Sequence, residues 1–276
     1  RFRTMAAHLL VMAAASISSP SRNLLVLGGT GFVGREVCRN AVQRGYSVTS
    51  LSRRGVNPEA DSPELSQVNW VAGDATDTDT VKELVSGVDA CVHAIGLLFD
   101  VESGLGNLNV IVSGSGSVPG EESTYDRITR QTAFNLISAT RERHASLGSG
   151  RVPLCFVSAA EAGWPDVQLG PEVEKVAPEW LKKYLAAKRA VEAELKSASG
   201  EVRPVIYRPS LIWDWTKLDV LPVIPVFNAL SALGVPFVDK TVRVETLAKA
   251  VVQGVEDDSV EGVQRFGEME QLAQRA

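Results

Sequence analysis

From residue 23 onward, short apolar runs alternate with longer stretches in which apolar residues recur every three or four positions. Leu24 to Leu27 is an unbroken aliphatic run with the length of a buried strand, and Val33–Arg44 after it has helical spacing. Tyr46–Leu51, Val68–Val71 and Ala90–Ile95 read as three more strands, with a short helix over Thr80–Ser86 before the last of them. Tyr125–Arg143 predicts a longer helix that carries Ile128, Ala133, Leu136 and Ile137 on one face. A strand over Val152–Val157, a helix over Glu179–Ser197 and a strand over Val202–Tyr207 follow. Such alternation predicts an α/β fold, a parallel sheet covered by helices on both faces. Right-handed crossovers then bring the C-terminal ends of the strands to one edge.

Two stretches break the rhythm. Residues 100–123 are rich in Gly and Ser, show no period, and are expected to form a long loop over that edge. Residues 220–238 carry no charge but include Pro222, Pro225 and Pro236, which forbid one continuous spanning helix. This segment reads as the apolar floor of a small C-terminal lobe, or as a surface that docks on a membrane, a quinone or lipid, or a partner.

Composition narrows the functional classes. The formal net charge is −5 over 276 residues, with acids and bases interspersed, so there is no basic field for nucleic acid. Cys38, Cys91 and Cys155 lie far apart inside apolar runs, which implies free thiols in a reducing compartment. His8, His93 and His144 have no metal-ligand spacing. Residues 1–22 contain Arg1, Arg3 and Arg22, no acid, and much Ala and Ser. That is the composition of an organellar transit segment, and equally of a plain N-terminal tail. The expected organisation is an extension over 1–22 and one domain over 23–276, whose C-terminal lobe begins near 209.

The sharpest local signal lies between the first strand and the first helix, where Gly28, Gly31 and Gly34 recur at three-residue intervals. Glycine permits the tight turn and lets backbone approach a pyrophosphate, while the helix N-terminus offers N–H groups and a positive dipole end. In this context the spacing predicts a dinucleotide-binding crossover and a Rossmann-like, doubly wound sheet. The second strand ends Leu51-Ser52-Arg53-Arg54, without the acid that binds a ribose 2′-hydroxyl. Ser52, Arg53 and Arg54 instead suit a 2′-phosphate, which favours NADP(H) over NAD(H).

Tyr184 and Lys188 lie four apart in a predicted helix, so both project from one face, and Ser158 closes the strand upstream. A tyrosine of pKa about 10 needs a neighbouring ammonium to act as a base near neutral pH. Lys188 is expected to provide it, and Ser158 to orient the substrate oxygen. His93, Asp214, Trp164 and Trp215 read as structural or cleft-lining, and Arg127 and Arg130 as an exposed helix face.

Taken together, these motifs resemble the short-chain dehydrogenase/reductase superfamily in its extended or atypical branch, from Asn23 to about Phe266. Gly28–Gly34, Gly73-Asp74, His93-Ala94-Ile95-Gly96, Val157-Ser158-Ala159, Tyr184 with Lys188, and Arg208-Pro209-Ser210 occur in the family order. The resemblance implies a cofactor site formed by Gly28, Thr30, Gly31, Phe32, Val33, Gly34, Asp74, Ala94, Gly96, Tyr184, Lys188 and Pro209, with Ser158, Tyr184 and Lys188 as the catalytic set. Asp74 would accept a hydrogen bond from the adenine amino group, or simply build the turn. Within the branch, the chain is similar to the dehydrogenase-like accessory subunit of mitochondrial complex I and to a fungal mitochondrial protein of ubiquinone biosynthesis; a plastid relative is also similar. The first similarity implies an NADP(H)-binding subunit of a membrane respiratory assembly, on the matrix side of the inner membrane, with a mainly structural nucleotide. The alternatives are an active NADP-dependent oxidoreductase and an accessory protein of quinone biosynthesis.

Overall fold

The computed structural model describes residues 22–103, 122–148, 150–215 and 222–276. Most of the N-terminal extension, most of the expected Gly/Ser loop and the start of the 220–238 segment lie outside them. Among the described residues nine strands occur in chain order: β1 Asn23–Leu27, β2 Ser47–Ser52, β3 Asn69–Ala72, β4 Ala90–His93, β5 Val152–Val157, β6 Val202–Tyr207, β7 Ile212–Trp213, β8 Val242–Arg243 and β9 Gly262–Gln264. Seven form one sheet in the order β3-β2-β1-β4-β5-β6-β9, while β7 and β8 pair separately. Every ladder is parallel, with Leu24 opposite both Val48 and Ala90, and Phe156 opposite both His93 and Ile206.

Alternating side chains on each strand separate the core into two layers. Leu24, Val26, Val92 and Val205 pack with Val37, Val251 and Met269, under the helices Phe32–Gln43, Val244–Glu256 and Phe266–Arg275. Leu25, Leu27, Cys91, Phe156 and Ile206 pack with Val81, Leu136 and Val191, under the helices Thr78–Ser86, Thr132–Leu147 and Glu179–Ser197. This is the doubly wound Rossmann-like arrangement. The three cysteines are buried and free.

Local chemistry fixes the element ends. The Asp77 carboxylate accepts from the N–H of Asp79 and caps the helix that follows. Arg203 on β6 donates to the carbonyls of Gly254, Val255 and Val260, and so pins the end of the helix Val244–Glu256. The predicted helix over 125–143 begins instead as a wider π-turn over Asp126–Gln131, and becomes α-helical from Thr132 to Leu147. Thr132 Oγ1 donates to Ile128 O at 2.7 Å, competing for a carbonyl inside the wide turn. The turn stands beside the strand ends that form the cleft described next.

Candidate functional site

The sheet order reverses between β1 and β4, and the cleft opens at the strand C-termini there. Gly28 leaves β1 in the left-handed region at φ +88°, with its N–H on Leu51 O at 2.9 Å. A Cβ at Gly28 would sit 3.0 Å from the backbone nitrogen of Ile95. At Gly34 it would fall 2.2 Å from Gly28 O, so that glycine lets the helix Phe32–Gln43 lie against the loop and does not itself line the cleft. Gly31 caps this helix without a side-chain bond, and its first turn holds no acid. The terminus is therefore shaped and charged for an anion.

The cleft encloses about 950 Å³ and extends from the glycine loop to the helix Glu179–Ser197. Every predicted cofactor residue other than Gly34 lines it: Thr30, Gly31, Phe32 and Val33 at the loop, Ser52, Arg53 and Arg54 after β2, Asp74 after β3, Ala94 and Gly96 after β4, and Pro209 after β6. Arg53 and Arg54 are exposed at the rim. Ser52 Oγ accepts from the Gly55 N–H at 3.1 Å, which folds the turn that presents them. Asp74 has the turn-building role: one carboxylate oxygen accepts from the Thr76 N–H at 2.9 Å, and the other lies 3.8 Å from Arg127. Arg127 also pairs with Glu122 at 2.6 Å. His93 is fully buried, bonds Thr132 Oγ1 at 2.9 Å and packs on Phe156. Burial lowers its pKa to about 3, so it stays neutral and structural.

The chemical end of the cleft is built on β5 and one helix face. Tyr184, Lys188 and Glu192 follow at four-residue spacing. Lys188 donates to Val157 O at 2.7 Å, and its ammonium lies 5.6 Å from the Tyr184 ring centroid. Burial lowers the Lys188 pKa to about 8, while the Glu192 carboxylate works in the opposite direction. Burial pushes the Tyr184 phenol well up, and Glu161 and Tyr125 push it further. In this geometry Tyr184 is a protonated phenol, set to give a proton.

Ser158 donates its hydroxyl proton to Glu192 Oε1 at 2.6 Å. The same carboxylate takes Arg208 Nε at 3.0 Å and a second guanidinium bond from Nη2. Ser158 therefore keeps only lone pairs for a substrate in the cleft. Sequence reasoning missed Glu192 and Arg208, although Glu192 continues the Tyr184–Lys188 spacing by one more turn.

Beyond Tyr184 the walls are apolar, formed by Trp164, Leu181, Ile212, Phe227, Phe237 and Val238. Phe227, Phe237 and Val238 place part of the 222–238 segment in the cleft wall. Its helix Ile224–Ala232 turns Val223, Val226, Leu230 and Leu233 outward. Trp215 is also exposed, and Asp214 does not line the cleft. Among the described residues no helix is long and apolar enough to cross a membrane, and no cluster of metal-ligating side chains occurs.

A parallel sheet with a glycine crossover and a nucleotide-sized cleft at its switch point defines a dinucleotide-binding domain. The chain belongs to the NAD(P)H-binding family, which matches residues 28–258, and it is of the short-chain dehydrogenase/reductase and epimerase-like type. It is 26% identical over 278 residues to MIOREX complex component 2 of Saccharomyces cerevisiae, covering 87% of this chain and 95% of that one. An uncharacterized chloroplastic protein of Arabidopsis thaliana is 27% identical over 274 residues, covering 92% and 78%. Among solved structures, the Bordetella bronchiseptica enzyme WbmH in complex with NAD+ superposes at a TM-score of 0.55 with 16% identity, covering 89% of this chain and 76% of that one. The cofactor is thus a nicotinamide dinucleotide.

Proposed function

We propose that this chain is an NADP(H)-dependent reductase acting on a carbonyl carried by a largely apolar molecule. The observation that carries the reading is the cleft itself: glycine loop, Tyr184 and Lys188 share one continuous space, whose far walls are apolar. The bound nicotinamide would supply hydride to the carbonyl carbon. Tyr184 holds the proton for the carbonyl oxygen, and its raised pKa keeps the phenol protonated at neutral pH while making it a weaker acid. Lys188, fixed by Val157 O beside the Tyr184 ring, would hold the nicotinamide ribose. Ser158 donates its proton to Glu192 and so offers a substrate only acceptor lone pairs. Arg53, Arg54 and Ser52 would hold the 2′-phosphate of NADP(H).

A second reading is favoured by the outward apolar stripe of Val223, Val226, Leu230 and Leu233. In it the chain is an accessory component of a membrane assembly, of which the respiratory complex I or a quinone-biosynthesis assembly is the specific candidate, and the nucleotide mainly stabilises the fold. The yeast relative's name, a complex component, supports association with other chains. A mitochondrial or plastid location fits both readings, and the Arabidopsis relative is chloroplastic by name. One experiment separates the two. Purified protein with NADPH is assayed against apolar ketones, aldehydes and quinones, beside the Tyr184→Phe variant, and organelle membranes are fractionated natively. Turnover lost in Tyr184→Phe while NADPH still binds supports the reductase. No turnover, together with migration only in a large membrane assembly, overturns it in favour of the accessory role.

A further inference from the structure

We propose that Glu161 selects the substrate: it accepts a hydrogen bond from a hydroxyl or amine on the apolar molecule, close to the group on which Tyr184 acts. This rests on the apolar-cleft reading above and narrows it to donor-bearing substrates. Glu161 lies three residues after Ser158, in the short turn Ala160–Asp166 that leads from β5 across the cleft. Its side chain lines that space beside Trp164, Val173, Leu181 and Tyr184.

A carboxylate against apolar walls needs a donor or a cation, because removing it from water is costly. The neighbouring cations are all engaged elsewhere. Arg189 grips the Glu174 carboxylate at 2.6 and 2.7 Å and reaches Glu161 only through its backbone carbonyl, at 3.3 Å. Arg208 is held by Glu192, Arg265 by Asp239 at 2.6 Å, and Lys188 by Val157 O. Among the described residues the Glu161 carboxylate is met only by its own backbone N–H, while burial and the Asp239 charge both push its pKa up. It is a half-buried acceptor that no other residue's donor meets, at the polar end of an apolar cleft. A ligand hydroxyl or ammonium supplies the missing partner, whereas a ligand carboxylate brings a like charge.

The test uses the full chain loaded with NADPH, and four probes with one ten-carbon body: decylamine, 1-decanol, decanal and decanoate. Binding is read by calorimetry on the wild type and on Glu161→Gln, with NADPH affinity confirming that the variant is folded. Wild-type protein is expected to prefer decylamine and decanol over decanoate by about tenfold or more, and Glu161→Gln to erase that preference. Binding without discrimination, or the same ratio in Glu161→Gln, overturns the role of Glu161 and leaves the apolar-substrate reading standing. Binding of none of the four, with NADPH still bound, overturns both together.

Discussion

Replacing Glu192 by glutamine should destabilise the fold by about 3 kcal/mol, the lower end for breaking a buried ion pair. Glu192 is 3% exposed and the side chain of Arg208 is 12% exposed, so water reaches neither charge freely. The carboxylate receives three hydrogen bonds, one from Ser158 and two from Arg208. A glutamine amide keeps one acceptor for Ser158 but turns a second donor toward the guanidinium or loses that contact. Arg208 would then have only Asp166, at 4.0 Å and exposed, to balance its charge. Arg208→Met should cost a similar amount, since it leaves the carboxylate buried without its cation. The double variant Glu192→Gln with Arg208→Met removes both charges and should lose at least about 2 kcal/mol less than the two single losses added. The assay is urea unfolding of all members of the cycle at neutral pH, with midpoints compared at constant slope. Additivity within about 0.5 kcal/mol would refute the argument, because it would mean that the two groups do not depend on each other.

Three further outcomes follow from the site. Arg53→Ala with Arg54→Ala should weaken NADPH about tenfold or more and leave NADH nearly unchanged in a fluorescence titration; equal losses would remove the 2′-phosphate assignment. Gly34→Ala should cost about 2–3 kcal/mol in chemical unfolding and weaken both nucleotides, since its Cβ meets the Gly28 backbone, which cannot rotate away as a flexible side chain would; an unchanged midpoint would contradict the packing. Lys188 titrates near 8 when folded against an ordinary 10.5, so from pH 8 to 10.5 the unfolded chain binds more protons and stability rises with pH. Relative to Lys188→Met, the wild type should therefore gain about 3 kcal/mol over that interval, read by urea unfolding at pH 7, 9 and 10, and parallel pH curves would count against it.

Much of the frame was legible because period and punctuation agreed. The strand Val152–Val157 and the helix Glu179–Ser197 have the ends that the pattern predicted, and the glycine crossover stands where its spacing placed it. The wide turn at Asp126–Gln131 was hidden because its apolar residues keep helical spacing, and the extra backbone residue leaves no mark in the pattern. The helix Val244–Glu256 had a usable signal, with Val244, Leu247, Val251 and Val255 recurring every three or four positions. The electrostatics of the site were the least legible part. Tyr184-x-x-x-Lys188 gives two residues on one face, but not the carbonyl that accepts the lysine's hydrogen bond, nor the carboxylates around it. Those depend on Glu161 and Arg208, which the fold brings in from other segments.

That electrostatic arrangement also bears on the direction of chemistry. An oxidation needs Tyr184 as a phenolate that can take the alcohol's proton, yet burial and the Glu161 charge both oppose a phenolate. Arrival of a donor or ammonium at Glu161 would offset that charge and ease Tyr184 toward ionisation, coupling substrate recognition to proton transfer. Burial keeps Tyr184 a protonated phenol, and Lys188 is anchored to the sheet through Val157 O. A structural nucleotide would require none of this, because retention needs only the glycine loop and the rim arginines. The alignment of Tyr184, Lys188 and Glu161 on one apolar cleft is thus a stronger argument for turnover than the glycine motif is.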